Sequence, residues 1–281
     1  MAAEKAAICI QTLQDWGYNV IVGKTLGSSS ENYFSGDDAT RAGELQAMLD
    51  TKSIRAILFG RGGYGMSRII DKLDFKKFRK NPKWLIGFSD ITVMHTHLLS
   101  NYNIASLHAP MAAAFNDGQH TNEYIESLRN ALAGVKANYE VPATPLNLNG
   151  KGQGQLVGGN LALLAHVIGT ASDVDTKHKI LFLEDIGEYI YNIDRLLYQL
   201  KRSGKFKKLA GLIFGGFTDM KDTERPFGKS IDEVLKEITA LVKCPVCFHF
   251  PVSHSKENVA LKIGAEYKLT VTSSKTVLEE V

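Results

Sequence analysis

Ser89 closes the apolar run Trp84–Phe88 and stands directly before a helical pattern that opens near Asp90. A serine at such a strand-to-helix turn projects its hydroxyl above the C-terminal edge of a sheet, and the next amide points at the same space. An exposed oxygen beside a donor for developing negative charge is what a nucleophile needs. The segment GFSDIT, Gly87 to Thr92, lacks the second glycine of G-x-S-x-G. Capping of the helix by Ser89 or Asp90 explains the same residues, and for the segment alone it is the better account. Glu184 ends a second apolar run, ILFLE, and His254 follows a third, in the polar loop of FPVSHSKEN. Strand ends are where sites collect in α/β sheets. Serine attacks well only when a base takes its proton, and histidine has the pKa for that near neutrality. Taken singly, the two have plainer readings: a solvated or capping glutamate and a structural histidine.

Two further motifs compete for a role. GRGGYG, Gly60 to Gly65, satisfies G-x-G-x-x-G between a strand and a helix, with Asp90 roughly where a ribose-binding acid would stand. The rival this raises is a Rossmann-type nucleotide-binding oxidoreductase resting on Gly60, Gly62 and Gly65. Against it, the motif follows the second expected strand, and Arg61 and Tyr64 put bulk where a pyrophosphate needs bare backbone. The same glycines serve as a tight turn, or as a cradle of helix-opening amides for an anion or oxyanion. Cys244 and Cys247 form C-x-x-C with His249 and His254 nearby. That spacing is too cramped for a zinc finger, and KCPVCFHF reads as an extended strand rather than a helix start. Small apolar cysteines in a buried strand are expected there, with no metal. His95 and His97 lie two apart on one helix and cannot share a face, so no role is assigned to them.

Positioning these residues falls to alternating helical and strand patterns. Residues 2–16 repeat apolar positions at helical spacing, YNVIVGKTL (18–26) reads as a strand, and Asp37 or Asp38 caps a helix through residue 50. Then come strand 54–60, helix 66–74, strand 83–89, helix 91–101, strand 104–110 and helix 122–134. Apolar strands separated by amphipathic helices imply right-handed crossovers and a parallel sheet covered on both faces. Residues 137–160 are rich in Gly, Asn and Pro and read as short strands and turns. Helix 161–169, strand 179–184, helix 191–204, strand 209–217 and helix 230–242 follow, with a hairpin-like pattern over 259–274. Two domains are expected, 1–140 and 141–281, the second a smaller mixture of sheet and helices.

The whole composition fits such a scaffold. The chain has 281 residues, 44% hydrophobic and 22% charged, which excludes a disordered chain or a coiled coil. Thirty-three Lys and Arg against 30 Asp and Glu leave +3, too even to advertise nucleic acid or an anionic membrane. No apolar run is long enough to span a bilayer. Glu4, Gln11 and Asp15 interrupt the N-terminus where a signal peptide needs an apolar stretch, and three cysteines cannot make a disulfide framework. A reduced, cytoplasmic protein is expected.

Together these segments resemble the LD-carboxypeptidase family, serine peptidases that include murein tetrapeptide carboxypeptidases and microcin immunity peptidases. The resemblance runs through YFSGDDATRAGELQAML, ILFGRGGYGMSRIIDKLDF, NPKWLIGFSDITVMHTHLL with LHAPM, LVGGNLALLAHVIGT, ILFLEDIGEYIYNIDRLLYQL and the His254 loop. It implies a flavodoxin-like first domain and a second with a β-barrel-like sheet. It implies Ser89 as nucleophile, completed to a triad by Glu184 and His254, with the histidine ring between the other two. It gives the oxyanion hole to the backbone amides of Gly63 and Asp90. The implied reaction removes terminal D-alanine from murein tetrapeptide during cell-wall recycling, without metal or organic cofactor, in a homodimer. The runner-up within the family is hydrolysis of a microcin-like aminoacyl-nucleotide amide. The chain departs from the family where it begins at the first helix without the usual preceding strand, implying a shortened or atypical start. It also has Ala109 within His-x-Pro and Ser253 before His254.

Overall fold

The computed structural model describes residues 3–27, 33–116 and 122–281. Ala2, where the first helix was expected to begin, lies outside them. A 3-10 turn, Ala3–Ala6, leads into α1 (Ala7–Asp15), and α2 (Asp38–Asp50) begins where Asp37 accepts from the Thr40 amide at 2.7 Å. At its other end Lys83 donates to the carbonyls of Met48, Leu49 and Thr51 at 2.7–3.0 Å. This buried ammonium supplies the positive charge a helix C-terminus favours.

Next come β1 (Ala56–Leu58), α3 (Lys76–Lys80), β2 (Trp84–Gly87), α4 (Thr92–Tyr102), β3 (Ser106–His108) and α5 (Glu123–Leu132). Strands β1, β2 and β3 are parallel, as the crossovers predict. Leu85 and Ile86 on β2 point into different apolar clusters, so both faces of the sheet are covered. α4 is buried from Thr92 through Leu99 and therefore carries almost no polar face. Its histidines are structural: His95 donates through Nε2 to the Gly87 carbonyl at 2.8 Å and accepts at Nδ1 from Ser106 at 2.8 Å. Burial pushes the His95 pKa down to about 4.

The second half contains β4 (Asn138–Pro142), β5 (Gly150–Asn160), α6 (Leu161–His166), β6 (Ile180–Ile186), α7 (Ile190–Arg202) and β7 (Gly211–Thr218). It ends with α8 (Ile231–Thr239), β8 (Val246–Cys247), β9 (Leu261–Ile263), β10 (Glu266–Val271) and β11 (Lys275–Glu280). Seven strands form one mixed sheet in the order β4-β11-β10-β5-β6-β7-β8. The first four are mutually antiparallel, while β5, β6, β7 and β8 are parallel. An antiparallel bridge from Leu148, just before β5, to Val246 on β8 curls the far edge back toward β5, which gives the sheet its barrel-like character. The mixed α/β class read from the sequence is therefore the class observed.

Three local expectations differ. The strand expected over residues 18–26 does not form, and Ile21 and Val22 are exposed. Among the described residues nothing pairs with the outer edge of β1, and a strand without a hydrogen-bonding neighbour has no reason to form. Residues 66–74 form two 3-10 turns, Met66–Arg68 and Ile70–Lys72, instead of one helix. The expected hairpin over 259–274 is divided between the sheets: β9 joins the first, antiparallel to β3, and β10 pairs with β5 and β11. Lys262 on β9 still reaches across to Glu280 at the end of β11, in a mostly buried ion pair at 2.9 Å. No described helix is long and apolar enough to cross a membrane.

Candidate active site

Ser89 sits where β2 gives way to the 3-10 turn Ser89–Ile91 that opens α4, and its φ is +62°. That left-handed value is uncommon for serine and marks a sharp, strained corner of the kind that holds a nucleophile. The glycine loop crosses directly over it. A Cβ on Gly62 would lie 2.8 Å from Ser89 Cβ and 3.0 Å from its Oγ, so only glycine lets the loop come this close. Gly63 follows with φ +103°, and a Cβ there would meet nothing nearer than Tyr33 Oη at 3.8 Å. The glycines of G-x-G-x-x-G thus have uses other than a pyrophosphate.

Glu184 lies near the C-terminal end of β6, fully buried. Its Oε2 accepts a 2.6 Å hydrogen bond from His254 Nδ1. The pair is built by an irregularity in β7. Leu183 pairs with Phe214 and Asp185 with Phe217, so Gly215 and Gly216 both stand opposite Glu184. Such a bulge twists a strand locally and re-aims side chains. The two glycines also admit the loop that carries the histidine. Side chains there would run into Val252 and Ser253, and the Gly216 amide donates to the Val252 carbonyl at 2.9 Å. FGGF within an apolar strand is a legible sign of a bulge or close approach, although sequence reasoning gave it no role.

His254 then lies against Phe88, the neighbour of Ser89, with ring centroids 4.9 Å apart and edge to face. Because Nδ1–H donates to a carboxylate, the neutral ring keeps its lone pair on Nε2. Nε2 is buried without a hydrogen-bond partner, so it is not bonded to Ser89 Oγ. Catalytic hydrogen bonds are often long before substrate arrives. Burial opposes the imidazolium, but the hydrogen bond and charge of Glu184, with Asp185 behind, outweigh it and hold the His254 pKa above its ordinary value.

A second set of contacts ties these elements together. The Asn160 amide donates to Thr92 Oγ1 at 3.1 Å, its Nδ2 to Asp185 at 2.8 Å, and its Oδ1 caps α6 by accepting from Leu163. Gly159 lies against Thr92 so closely that a Cβ would sit 2.5 Å from Oγ1. Thr92 is three residues beyond Ser89, and Asp185 is the residue after Glu184. The start of α4 and the end of β6 are therefore pinned to each other through Asn160. Burial pushes the Asp185 carboxyl up to about 6 despite its three hydrogen bonds. Nothing in spacing or periodicity singled out Asn160.

Of the cysteine pair, Cys247 is buried and Cys244 half-buried. Cys247 is buried in β8, and burial pushes its thiol up to about 12 and that of Cys244 up to about 11. Metal binding and redox attack need the thiolate, which such burial disfavours. Among the described residues, no three His, Cys, Asp or Glu side chains are grouped to hold a metal ion.

The chain is similar to known proteins over most of its length. A model of the LD-carboxypeptidase N-terminal domain matches residues 1–109, and one of the LD-carboxypeptidase C-terminal domain matches residues 153–269. A probable murein peptide carboxypeptidase of Bacillus subtilis is 33% identical over 270 residues, covering 95% of this chain and 84% of its own. The murein tetrapeptide carboxypeptidase of Pseudomonas aeruginosa is 31% identical over 245 residues, covering 83% and 78%. Among solved structures, muramoyltetrapeptide carboxypeptidase from Oxalobacter formigenes superposes with a TM-score of 0.88 at 27% identity. That superposition covers 100% of this chain and 94% of the other.

Proposed function

The chain belongs to the LD-carboxypeptidase family, and on that premise we propose that it releases terminal D-alanine from murein tetrapeptide by a Ser89–His254–Glu184 mechanism. The observation that carries the reading is the buried 2.6 Å bond from His254 to Glu184, with the opposite ring nitrogen unpartnered beside Phe88.

In this mechanism Glu184 holds the Nδ1–H tautomer, so that Nε2 can take the Ser89 proton as its oxygen attacks the scissile carbonyl carbon. The tetrahedral oxyanion is met by the Gly63 and Asp90 amides, each such donor being worth about 2.7–4 kcal/mol. His254 then protonates the departing D-alanine nitrogen. Water, deprotonated by the same imidazole, releases the acyl group and restores Ser89. Glu184 stabilises the imidazolium that forms twice per turnover. The chemistry invokes no metal and no organic cofactor. Cytoplasmic residence and a homodimer belong to the same reading, as does the division into residues 1–140 with the nucleophile and 141–281 with its partners.

The test is incubation of the protein with murein tetrapeptide and, separately, with an aminoacyl sulfamoyl adenosine, followed by mass spectrometry. Loss of one alanine from the tetrapeptide is the expected result. Turnover of the adenosine compound alone would transfer the assignment to amide hydrolysis of aminoacyl nucleotides.

A further inference from the structure

One peptide unit of the glycine loop is held from both sides. The Gly65 carbonyl accepts from Arg41 Nη1 at 3.2 Å, and the Met66 amide, on the same peptide, donates to Asp90 Oδ2 at 2.8 Å. Asp90 is buried and is the residue after Ser89, so its side chain couples the loop to the nucleophile turn. Arg41 comes from α2, and its side chain is only 12% exposed. Its Nη2 donates to Asp38 at 2.6 Å, and its guanidinium lies 4.8 Å from the Phe34 ring centroid. Asp38 also accepts from Arg68 at 2.9–3.0 Å and pairs with Lys72 at 3.6 Å. Those bonds, the Arg68 bond foremost, hold its carboxyl down to about 2. Gly65 has φ +136°, and a Cβ there would lie 2.6 Å from Arg41 Nη1. The last glycine of GRGGYG therefore makes room for an arginine.

We propose that Arg41 is a positioning residue for the reaction: with Asp90 it clamps the Gly65–Met66 peptide and so fixes the Gly62–Gly63 segment over Ser89. The proposal rests on Ser89 as nucleophile. A flexible loop would still let substrate bind but would leave the oxyanion donor displaced when charge develops. Preorganised donors act only if they are already in place at that moment. An arginine suits the task because its planar fork can donate to Asp38 and the Gly65 carbonyl together, whereas a lysine is a single point charge.

The experiment compares wild type, Arg41→Ala and Arg41→Lys in three measurements: D-alanine release from murein tetrapeptide, the rate of fluorophosphonate labelling at Ser89, and thermal melting. For Arg41→Ala, kcat should fall about 10- to 100-fold, as for other small misplacements of a site. KM should stay within about threefold, which marks an interaction needed in the transition state. Labelling should slow in parallel while the protein remains folded at the assay temperature, and Arg41→Lys should recover part of both rates. If Arg41→Ala does not fold, Asp38→Asn is read the same way. Labelling and kcat within about twofold of wild type, or a change confined to KM, would overturn the proposal. Wild-type protein that takes no label at Ser89 would overturn the nucleophile assignment as well, which separates the two failures.

Discussion

His254 Nδ1 and Glu184 Oε2 lie 2.6 Å apart although the residues are seventy positions apart in sequence. Sequence distance is bridged by the doubled glycine of β7, which bulges opposite the glutamate and admits the histidine loop. A buried carboxylate needs such a partner, because leaving it unpaired in the interior costs several kcal/mol.

The pair sets the pH dependence. Burial alone would depress the His254 pKa, and Glu184 raises it past the ordinary 6.5. The neutral ring is the base, so kcat/KM should fall on the acid side with an inflection above that value. Glu184→Gln removes most of what opposes burial and leaves only the charge of Asp185 against it, so the inflection should move to lower pH while kcat drops by about 10^4-fold. The stability of the charged pair is present below about pH 6.5 and is lost as pH rises through the folded-state pKa. The melting-temperature gap between wild type and Glu184→Gln should accordingly shrink on raising the pH. An acid limb unmoved in Glu184→Gln would refute the pairing as the cause.

Ser89→Ala should lower kcat by roughly 10^4-fold or more, with tetrapeptide still bound, because only positioning and oxyanion stabilisation remain. Steady-state kinetics beside direct binding measurement checks this. Activity within about tenfold of wild type would remove Ser89 from the reaction.

Glycine substitutions should separate the site from the scaffold. Gly62→Ala forces a methyl against Ser89, so activity should fall at least about 100-fold through misplacement of the nucleophile. Gly43→Ala, inside α2 with nothing within 4 Å of the new methyl, should instead stabilise the protein by about 0.5–1 kcal/mol at unchanged kcat. Denaturant melts and rates on both variants decide the matter; an active Gly62→Ala enzyme would contradict the close crossing.

Gly216→Ala tests the bulge. Its methyl would press on Ser253, the residue before His254. A displaced imidazole should cost at least about tenfold in kcat, with the histidine resonance shifted in the NMR spectrum. A normal rate with an unshifted resonance would show that the loop tolerates the side chain.

The sequence by itself determined the local structure that short-range physics controls. Asp37, Asn122 and Ser230 each cap the helix that follows, because a side-chain oxygen can reach free amides two or three residues on. The buried runs of β2, β6 and β7 were legible as strands, and their ends marked Ser89 and Glu184. The loop after a further apolar run marked His254, and the resemblance, carried by long specific segments, joined the three as an expected triad. The remaining features were decided by tertiary structure. Residues 18–26 have strand composition yet leave the outer edge of β1 unpaired, and β9 left its expected hairpin to pair with β3. Backbone pairing depends on which edge is free in three dimensions, and local composition does not record that. Asn160 and Arg41 were invisible for a related reason. Each acts through hydrogen bonds to elements far away in the chain, and an asparagine before a helix or an arginine within one has an ordinary local use. Even GRGGYG, whose glycines were conspicuous, could not say what they make room for. The fold answers with Ser89 at Gly62 and Arg41 at Gly65, because only the packed chain brings those side chains against the loop.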